Sequence, residues 1–452
     1  MAVLGAGRSG VAAAKYLSQR NSTVFISETC SDKDLDFILA SNNIADISHE
    51  AGGHTQKVLD SDLIICSPGI PKDIAILKKA RKKQIPIWSE IELAYRQSEA
   101  PYLAVTGSTG KSTTVGLLGS ILEAAGMEYT VAGNIGVPLI CAAPDISKKG
   151  LVVAEISSFQ LETIELFHPK AAAVLNLLKN HLDRYENEEE YYGAKKQISK
   201  NMTADDTLVL NANDERCVEW AETIGNTVQV VLFGRKVDSF DCIWCEGSSM
   251  RWRYGGNEEI LGDIGTMKIK GSHNSDNACV AAALARAAGV DDKEAIIAGV
   301  CAFSGLPHRL EFIREIHGIA YYNDSKATTA ESVACAVNAF QTNVHLIAGG
   351  KDKGCDFSEI RDSIKEKVKS VCLIGEAAAR ISKEWKGLTE IRRAESLEQA
   401  LEIINSQAHP GDVVILSPGC SSFDMFVSFE DRGTIFKKLV HDLYEEGNEK
   451  NG

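Results

Sequence analysis

Lys111 and Ser112 are the residues whose surroundings most clearly specify a chemistry. They lie within Thr106-Gly107-Ser108-Thr109-Gly110-Lys111-Ser112-Thr113, which follows an apolar segment, Tyr102 to Val105. The run leads into Val115 to Leu122, whose apolar spacing is helical. A strand, a glycine loop and a helix start are what a phosphate cradle needs. Backbone N–H groups and the helix N-terminus face the anion, and a lysine adds a mobile cation. A hydroxyl directly after that lysine suits Mg²⁺. The general pattern has a glycine where this chain has Val105, so the loop is a shortened form built on Gly107 and Gly110. The expected nucleotide-binding set is Gly107, Ser108, Thr109, Gly110, Lys111, Ser112 and Thr113.

Further candidates follow along the same region. The apolar run Leu151 to Ala154 reads as a parallel strand covered on both faces and delivers Glu155 at its tip. A carboxylate there is a Mg²⁺ partner in phosphate-loop domains, or else an N-cap for the next helix. Gly133-Asn134-Ile135-Gly136 is a glycine turn carrying one amide. A strand over Ala171 to Leu177 leads to a polar loop containing His181, where a structural and a functional histidine are equally expected. Lys195 and Lys196, on a helix around Tyr191 to Ser199, read in isolation as a solvated face. His273, Asn274 and Asn277 precede an Ala-rich helix, Ala278 to Ala288, as caps or as amides offered to a base.

The elements that position these groups fall into three α/β units without a shared period. Residues 1–94 open with a strand ending at Leu4, then Gly5-Ala6-Gly7-Arg8-Ser9-Gly10 and a helix from Val11. Glu28 ends the next strand 18 residues past Gly10, close to a dinucleotide fingerprint. Physically that fingerprint asks only for a pyrophosphate at a helix N-terminus, which any nucleotide diphosphate provides. The strand begins one residue into the chain, as expected of a sequence lacking a few natural residues. Leu63 to Cys66 is a further strand and ends in Ser67-Pro68-Gly69-Ile70. Residues 95–302 carry the phosphate loop and, from about 227 to 270, β excursions. Residues 303–452 send three strands into polar loops: Asn323 to Thr328, Gly349 to Gly354, and Ser417 to Phe423.

Composition narrows the class. A net charge of -14 over 452 residues disfavours nucleic acid as the main partner. The 12 cysteines form no disulfide framework, which suits a reducing cytoplasm. Cys242 and Cys245 make a lone C-x-x-C without a second pair at zinc spacing, and read as strand or surface residues. No apolar run reaches the roughly 18 residues of a membrane span. A cytoplasmic, monomeric protein is expected.

Together these motifs resemble the Mur ligases, ATP-dependent amide-forming enzymes of bacterial peptidoglycan precursor synthesis, and most closely the branch that adds D-glutamate. Glu155-Ile156-Ser157-Ser158-Phe159-Gln160-Leu161-Glu162, Asn323 to Thr328 and Ser417 to Ser422 carry the resemblance most specifically. It spans nearly the whole chain, and it implies cell-wall, cell-shape and cell-division roles. It also implies an α/β fold of three domains: Rossmann-like at the N-terminus for a UDP sugar, a central P-loop ATPase with a parallel sheet, and Rossmann-like at the C-terminus for the amino acid. The implied substrates are ATP, UDP-N-acetylmuramoyl-L-alanine and D-glutamate.

The resemblance assigns roles by position. Lys111 holds the β- and γ-phosphates, and Ser112 with Glu155 holds one Mg²⁺. His181 is the expected ligand of a second Mg²⁺, supported by a carbamylated lysine at Lys195, with Lys196 as runner-up. Asn134 contacts the reacting carboxylate, and Ser9, Glu28, Thr29 and Gly69 the UDP sugar. Asn274, Asn277, Arg309 and Asp324 fall on the ATP side. Lys326, Thr328, Lys353, Ser422 and Phe429 form the D-glutamate pocket, with Lys351 an alternative to Lys353. Competing readings are a sibling or folylpolyglutamate-type ligase, a nicotinamide oxidoreductase built on Gly5 to Glu28, and a non-catalytic nucleotide-binding scaffold.

Overall fold

A computed structural model describes residues 1–179, 184–269, 271–341, 343–352 and 354–449, with backbone alone at 331 and 444–449. The chain divides into two compact units, Met1–Ser304 and Gly305–Gly452. The first unit contains two sheets and the second contains one.

The first sheet is parallel throughout, ordered Ser48–Glu50, Phe25–Ser27, Ala2–Leu4, Ile64–Cys66, Ile87–Ser89. Its order reverses between Ala2–Leu4 and Ile64–Cys66. The loops leaving that point are Gly5 to Gly10 and Ser67 to Ile70, so the ligand crevice of a doubly wound sheet falls between them. The helix expected from Val11 starts earlier, at Arg8, because the extended Gly7 already serves as its N-cap.

The second sheet has nine strands. Tyr102–Thr106 lies between Leu151–Glu155 and Ala171–Val174, and parallel pairing extends from Tyr129–Gly133 at one side to Asp241–Glu246. Two antiparallel strands, Ser249–Tyr254 and Asn257–Asp263, complete the far side. The strand expected to reach Leu177 stops at Val174, where the chain turns toward the phosphate loop: Leu175 N–H donates to Thr106 O. Met267 to Ile269, read as a β excursion, forms no strand. Cys242 and Cys245 both lie on Asp241–Glu246, and no acidic, histidine or cysteine cluster able to hold a metal occurs among the described residues.

Helix Lys111–Ala124 packs Val115, Leu118, Ile121 and Leu122 into a core shared with Ala278 to Ala285 of helix Ser272–Ala287. That second helix begins six residues before the sequence suggests. Gly271 is its N-cap, so Asn274 and Asn277 sit inside its first turns rather than capping it. The small alanine side chains let the two helices approach closely while excluding water from the sheet face they cover.

The C-terminal unit is a six-stranded sheet ordered Glu311–Ile316, Ile319–Asn323, Val413–Leu416, Val344–Gly349, Val368–Ile374, Glu390–Arg393. Its first pair is antiparallel and the rest are parallel. Three of its strands end in polar loops at 323–328, 349–354 and 417–423, the last two bearing glycine.

Candidate active site

Gly110 takes the left-handed conformation, φ +85°, that turns the loop into helix Lys111–Ala124. A side chain there would also meet Asn277 Oδ1 at 2.8 Å. Lys111 Nζ donates back to Gly107 O at 2.8 Å and Ser108 O at 3.3 Å. Asn277 joins the start of the Ala-rich helix to helix Lys111–Ala124: its Oδ1 accepts from Thr114 Oγ1 at 3.2 Å, and its Nδ2 donates to Asn274 Oδ1 at 3.2 Å. Asn176, which the sequence did not single out, accepts from both Ser108 N–H and Thr109 N–H, at 2.9 and 3.0 Å.

Glu155 is buried at the tip of its strand, and its Oε1 accepts from Asn134 Nδ2 at 2.8 Å. Its Oε2 is buried without a hydrogen-bond partner, as is Thr106 Oγ1 on the neighbouring strand. Gly133 makes this turn possible, because its φ is +116° and a Cβ would run into Glu155 O. Asn134 N–H then donates to that same carbonyl at 2.8 Å. A buried carboxylate oxygen left unpaired costs free energy unless something positive meets it. Glu155 Oε2 and the Thr106 hydroxyl on the adjacent strand are partnerless hard oxygen donors, the ligand type that fits Mg²⁺.

Lys195 corrects the solvated-face reading. Its neighbour Lys196 is half-exposed, but Lys195 is 2% exposed. Its Nζ donates to Gly107 O at 3.0 Å and stands 4.5 Å from the Tyr191 ring centroid. Burial, with the Lys111 charge nearby, pulls its pKa down to about 7. Near neutrality a large share of this amine is therefore unprotonated. Tertiary packing overrode the charge pattern of a helix that begins Glu188-Glu189-Glu190.

The sugar-nucleotide candidates sit at the switch point of the first sheet. Glu28 accepts from Ala6 N–H at 2.5 Å and Thr29 N–H at 2.6 Å. Burial pushes its pKa up, but these bonds outweigh it and hold the carboxyl below its usual value. Ser9 is half-buried in the first turn of helix Arg8–Ser18, and Gly69 is exposed in its loop. Two arginines tie this sheet's loops to the central one. Arg8 Nη2 donates to Asn134 O at 3.0 Å. Arg184 donates to Pro68 O, Ile70 O and Glu162 Oε2 at 2.9 to 3.0 Å. Their partners Asn134, Pro68 and Ile70 lie more than a hundred positions away, so sequence spacing carried no signal for these contacts.

In the C-terminal unit, Asp324 is buried and accepts from Ser417 Oγ at 2.8 Å and Leu310 N–H at 3.0 Å. Burial raises its pKa to about 6. Arg309 is exposed; its charge acts on Asp324. Lys326 N–H donates to His308 O, Ser422 is buried, and Phe429 O accepts from Ser325 Oγ at 2.8 Å. Thr328 is half-buried in the same loop. His181 and Lys353 lie outside the described residues.

Comparison with known proteins decides the family. A Mur ligase middle domain matches residues 105–285, a Mur ligase glutamate ligase domain 308–420, and a MurD N-terminal domain 1–76. The chain is 40% identical over 445 residues to the UDP-N-acetylmuramoylalanine–D-glutamate ligase of Koribacter versatilis, covering 98% of this chain and 97% of that one. The chain belongs to the Mur ligase family. A second relative of the same description, from Geotalea daltonii, is 41% identical over 443 residues, with 98% and 97% coverage. Among solved structures, the UDP-N-acetylmuramate–alanine ligase of Thermotoga maritima matches this Mur ligase with a TM-score of 0.58 at 20% identity. The match covers 98% of this chain and 99% of the other, and it supports the shared fold. Family membership replaces the nicotinamide reading of Gly5 to Glu28.

Proposed function

We propose that this Mur ligase joins the L-alanyl carboxylate of UDP-N-acetylmuramoyl-L-alanine to the amine of D-glutamate, at the expense of ATP, in the cytoplasm of a dividing bacterium. A carboxylate oxygen attacks the γ-phosphorus, the bond to ADP breaks, and an acyl phosphate forms. The amine then attacks the acyl carbon and loses a proton. The tetrahedral intermediate collapses with phosphate as the leaving group. Such a reaction depends on positioning and charge neutralisation more than on covalent help from the protein. We assign residues 1–94 to the UDP sugar, 95–302 to ATP and 303–452 to D-glutamate.

Within this reading Lys111 neutralises the β- and γ-phosphates as charge builds on them. Asn134 orients the incoming carboxylate while its amide holds Glu155. Ser112, Glu155 and Thr106 Oγ1 would hold Mg²⁺, which when bound offsets phosphate charge. The unprotonated share of the Lys195 amine can add to carbon dioxide, its nitrogen bonding the carbon and releasing a proton. The carbamate so formed would serve a second metal with His181. Ser9, Glu28, Thr29 and Gly69 would bind the UDP sugar, and Asn274, Asn277, Arg309 and Asp324 the nucleotide. Lys326, Thr328, Lys353, Ser422 and Phe429 would bind D-glutamate.

The observation that carries this reading is the buried, half-paired Glu155 held by Asn134 beside a complete phosphate loop, in a chain similar end to end to D-glutamate ligases. Purified protein with ATP, Mg²⁺, UDP-N-acetylmuramoyl-L-alanine and D-glutamate should release ADP and phosphate. Release with L-glutamate or meso-diaminopimelate, and none with D-glutamate, would overturn it.

A further inference from the structure

Arg432, near the start of helix Phe429–Glu449, is 0% exposed. Its guanidinium donates to Ser325 Oγ at 2.9 Å, Ser325 O at 2.8 Å, Cys420 O at 3.1 Å and Ser421 O at 3.5 Å. Every one of these acceptors is a neutral oxygen. A third loop closes on the same group, since a Cβ on Gly350 would lie 3.2 Å from Nη1. One side chain thus binds two of the strand-end loops of the C-terminal unit and lies close against the third. Arginine is rarely buried this deeply without a carboxylate partner, because removing its charge from water is costly. Asp424 is near enough to act on it electrostatically, yet that carboxylate is exposed and bonded to Glu376 N–H. Burial lowers the Arg432 pKa to about 10, which still leaves it cationic at neutral pH. Beside it Ser421 Oγ is buried with no partner.

The residues Arg432 grips adjoin expected contacts of the amino acid. Ser325 precedes Lys326, Ser421 precedes Ser422, and Ser325 Oγ, which accepts from Arg432, itself donates to Phe429 O. We propose that Arg432 is the positioning residue of the amino-acid pocket: it fixes the loops carrying Lys326, Ser422 and Phe429 and supplies an unspent positive charge that a dicarboxylate substrate neutralises. This inference rests on the D-glutamate reading above.

The test compares Arg432→Gln and Arg432→Lys by steady-state kinetics. Losing one charge-assisted interaction should raise the D-glutamate KM of Arg432→Gln roughly 30-fold, with the KM of ATP and of the sugar nucleotide within about twofold. Arg432→Lys keeps a charge that can titrate. Its D-glutamate KM relative to wild type should climb about tenfold from pH 7 to 9.5 as a buried amine deprotonates. A purely structural role would move all three KM values together and leave that ratio flat. Either a flat ratio or an unmoved D-glutamate KM in Arg432→Gln overturns the proposal, and the lysine arm decides it alone if the glutamine variant does not fold. Wild-type protein that ignores D-glutamate would sink the functional reading instead.

Discussion

Glu90 should be more useful to the fold as an amide than as an acid. It sits on helix Glu90–Arg96 in the first unit, 1% exposed, with Oε1 accepting from Ile140 N–H at 2.7 Å and Oε2 without a partner. Burial raises its pKa from 4.5 to about 7, against hydrogen bonds from Ile140 and Leu139 and the Arg8 charge. The folded state therefore holds this proton more tightly than the unfolded chain does. The stabilisation is fully present below pH 4.5 and is lost as pH rises to 7; above that, the buried anion carries a constant penalty. With 1.36 kcal/mol per pKa unit, that penalty is about 3 kcal/mol at pH 8 and about 1 kcal/mol at pH 5. Glutamine keeps the acceptor for Ile140 N–H and carries no charge. Glu90→Gln should thus be stabilised over wild type by about 3 kcal/mol at pH 8, with the gain shrinking by about 2 kcal/mol at pH 5. Urea unfolding of both proteins at the two pH values measures this difference. A glutamine variant less stable at pH 8, or a gain independent of pH, would refute the reasoning.

Lys111→Ala should abolish ADP release while leaving sugar-nucleotide affinity, measured by calorimetry, within about threefold, because the two sets of contacts lie on different sheets. Asn134→Ala frees Glu155 Oε1 and should cut kcat about 100-fold while weakening Mn²⁺ binding, read by paramagnetic resonance. Lys195→Ala should lose turnover and regain part of it with a small carboxylate added to the buffer; rescue of Lys196→Ala instead would move the modified position by one.

How much of this was legible depended on how local each cause was. The strand, glycine turn and helix around Gly107 to Ser112 could be read because the glycines, lysine and hydroxyl that mark them fall within six residues. Glu155 could be read because a fully apolar strand points at it. Lys195 looked solvated because helical periodicity reports neighbours three and four residues away, while its burial comes from Gly107 and Tyr191 across the fold. Arg432 gave no signal at all: its partners Ser325 and Ser421 belong to different strands' loops, and nothing in Phe429-Glu430-Asp431-Arg432 marks a buried cation. The Ala-rich helix was misread at its start because Gly271, rather than an asparagine, caps it.

Asn176 has a consequence for inhibitors of the loop. Its side-chain oxygen already takes the Ser108 and Thr109 amides, so the protein's own side chain helps to set the loop's shape. A nucleotide binding there, as proposed, would meet a partly preformed receptor and cost less chain entropy on docking. The same arrangement withholds those two donors from any newcomer. A phosphate mimic designed to reach them competes with a tethered amide that never diffuses away, and its affinity must come from the helix start at Lys111 and beyond.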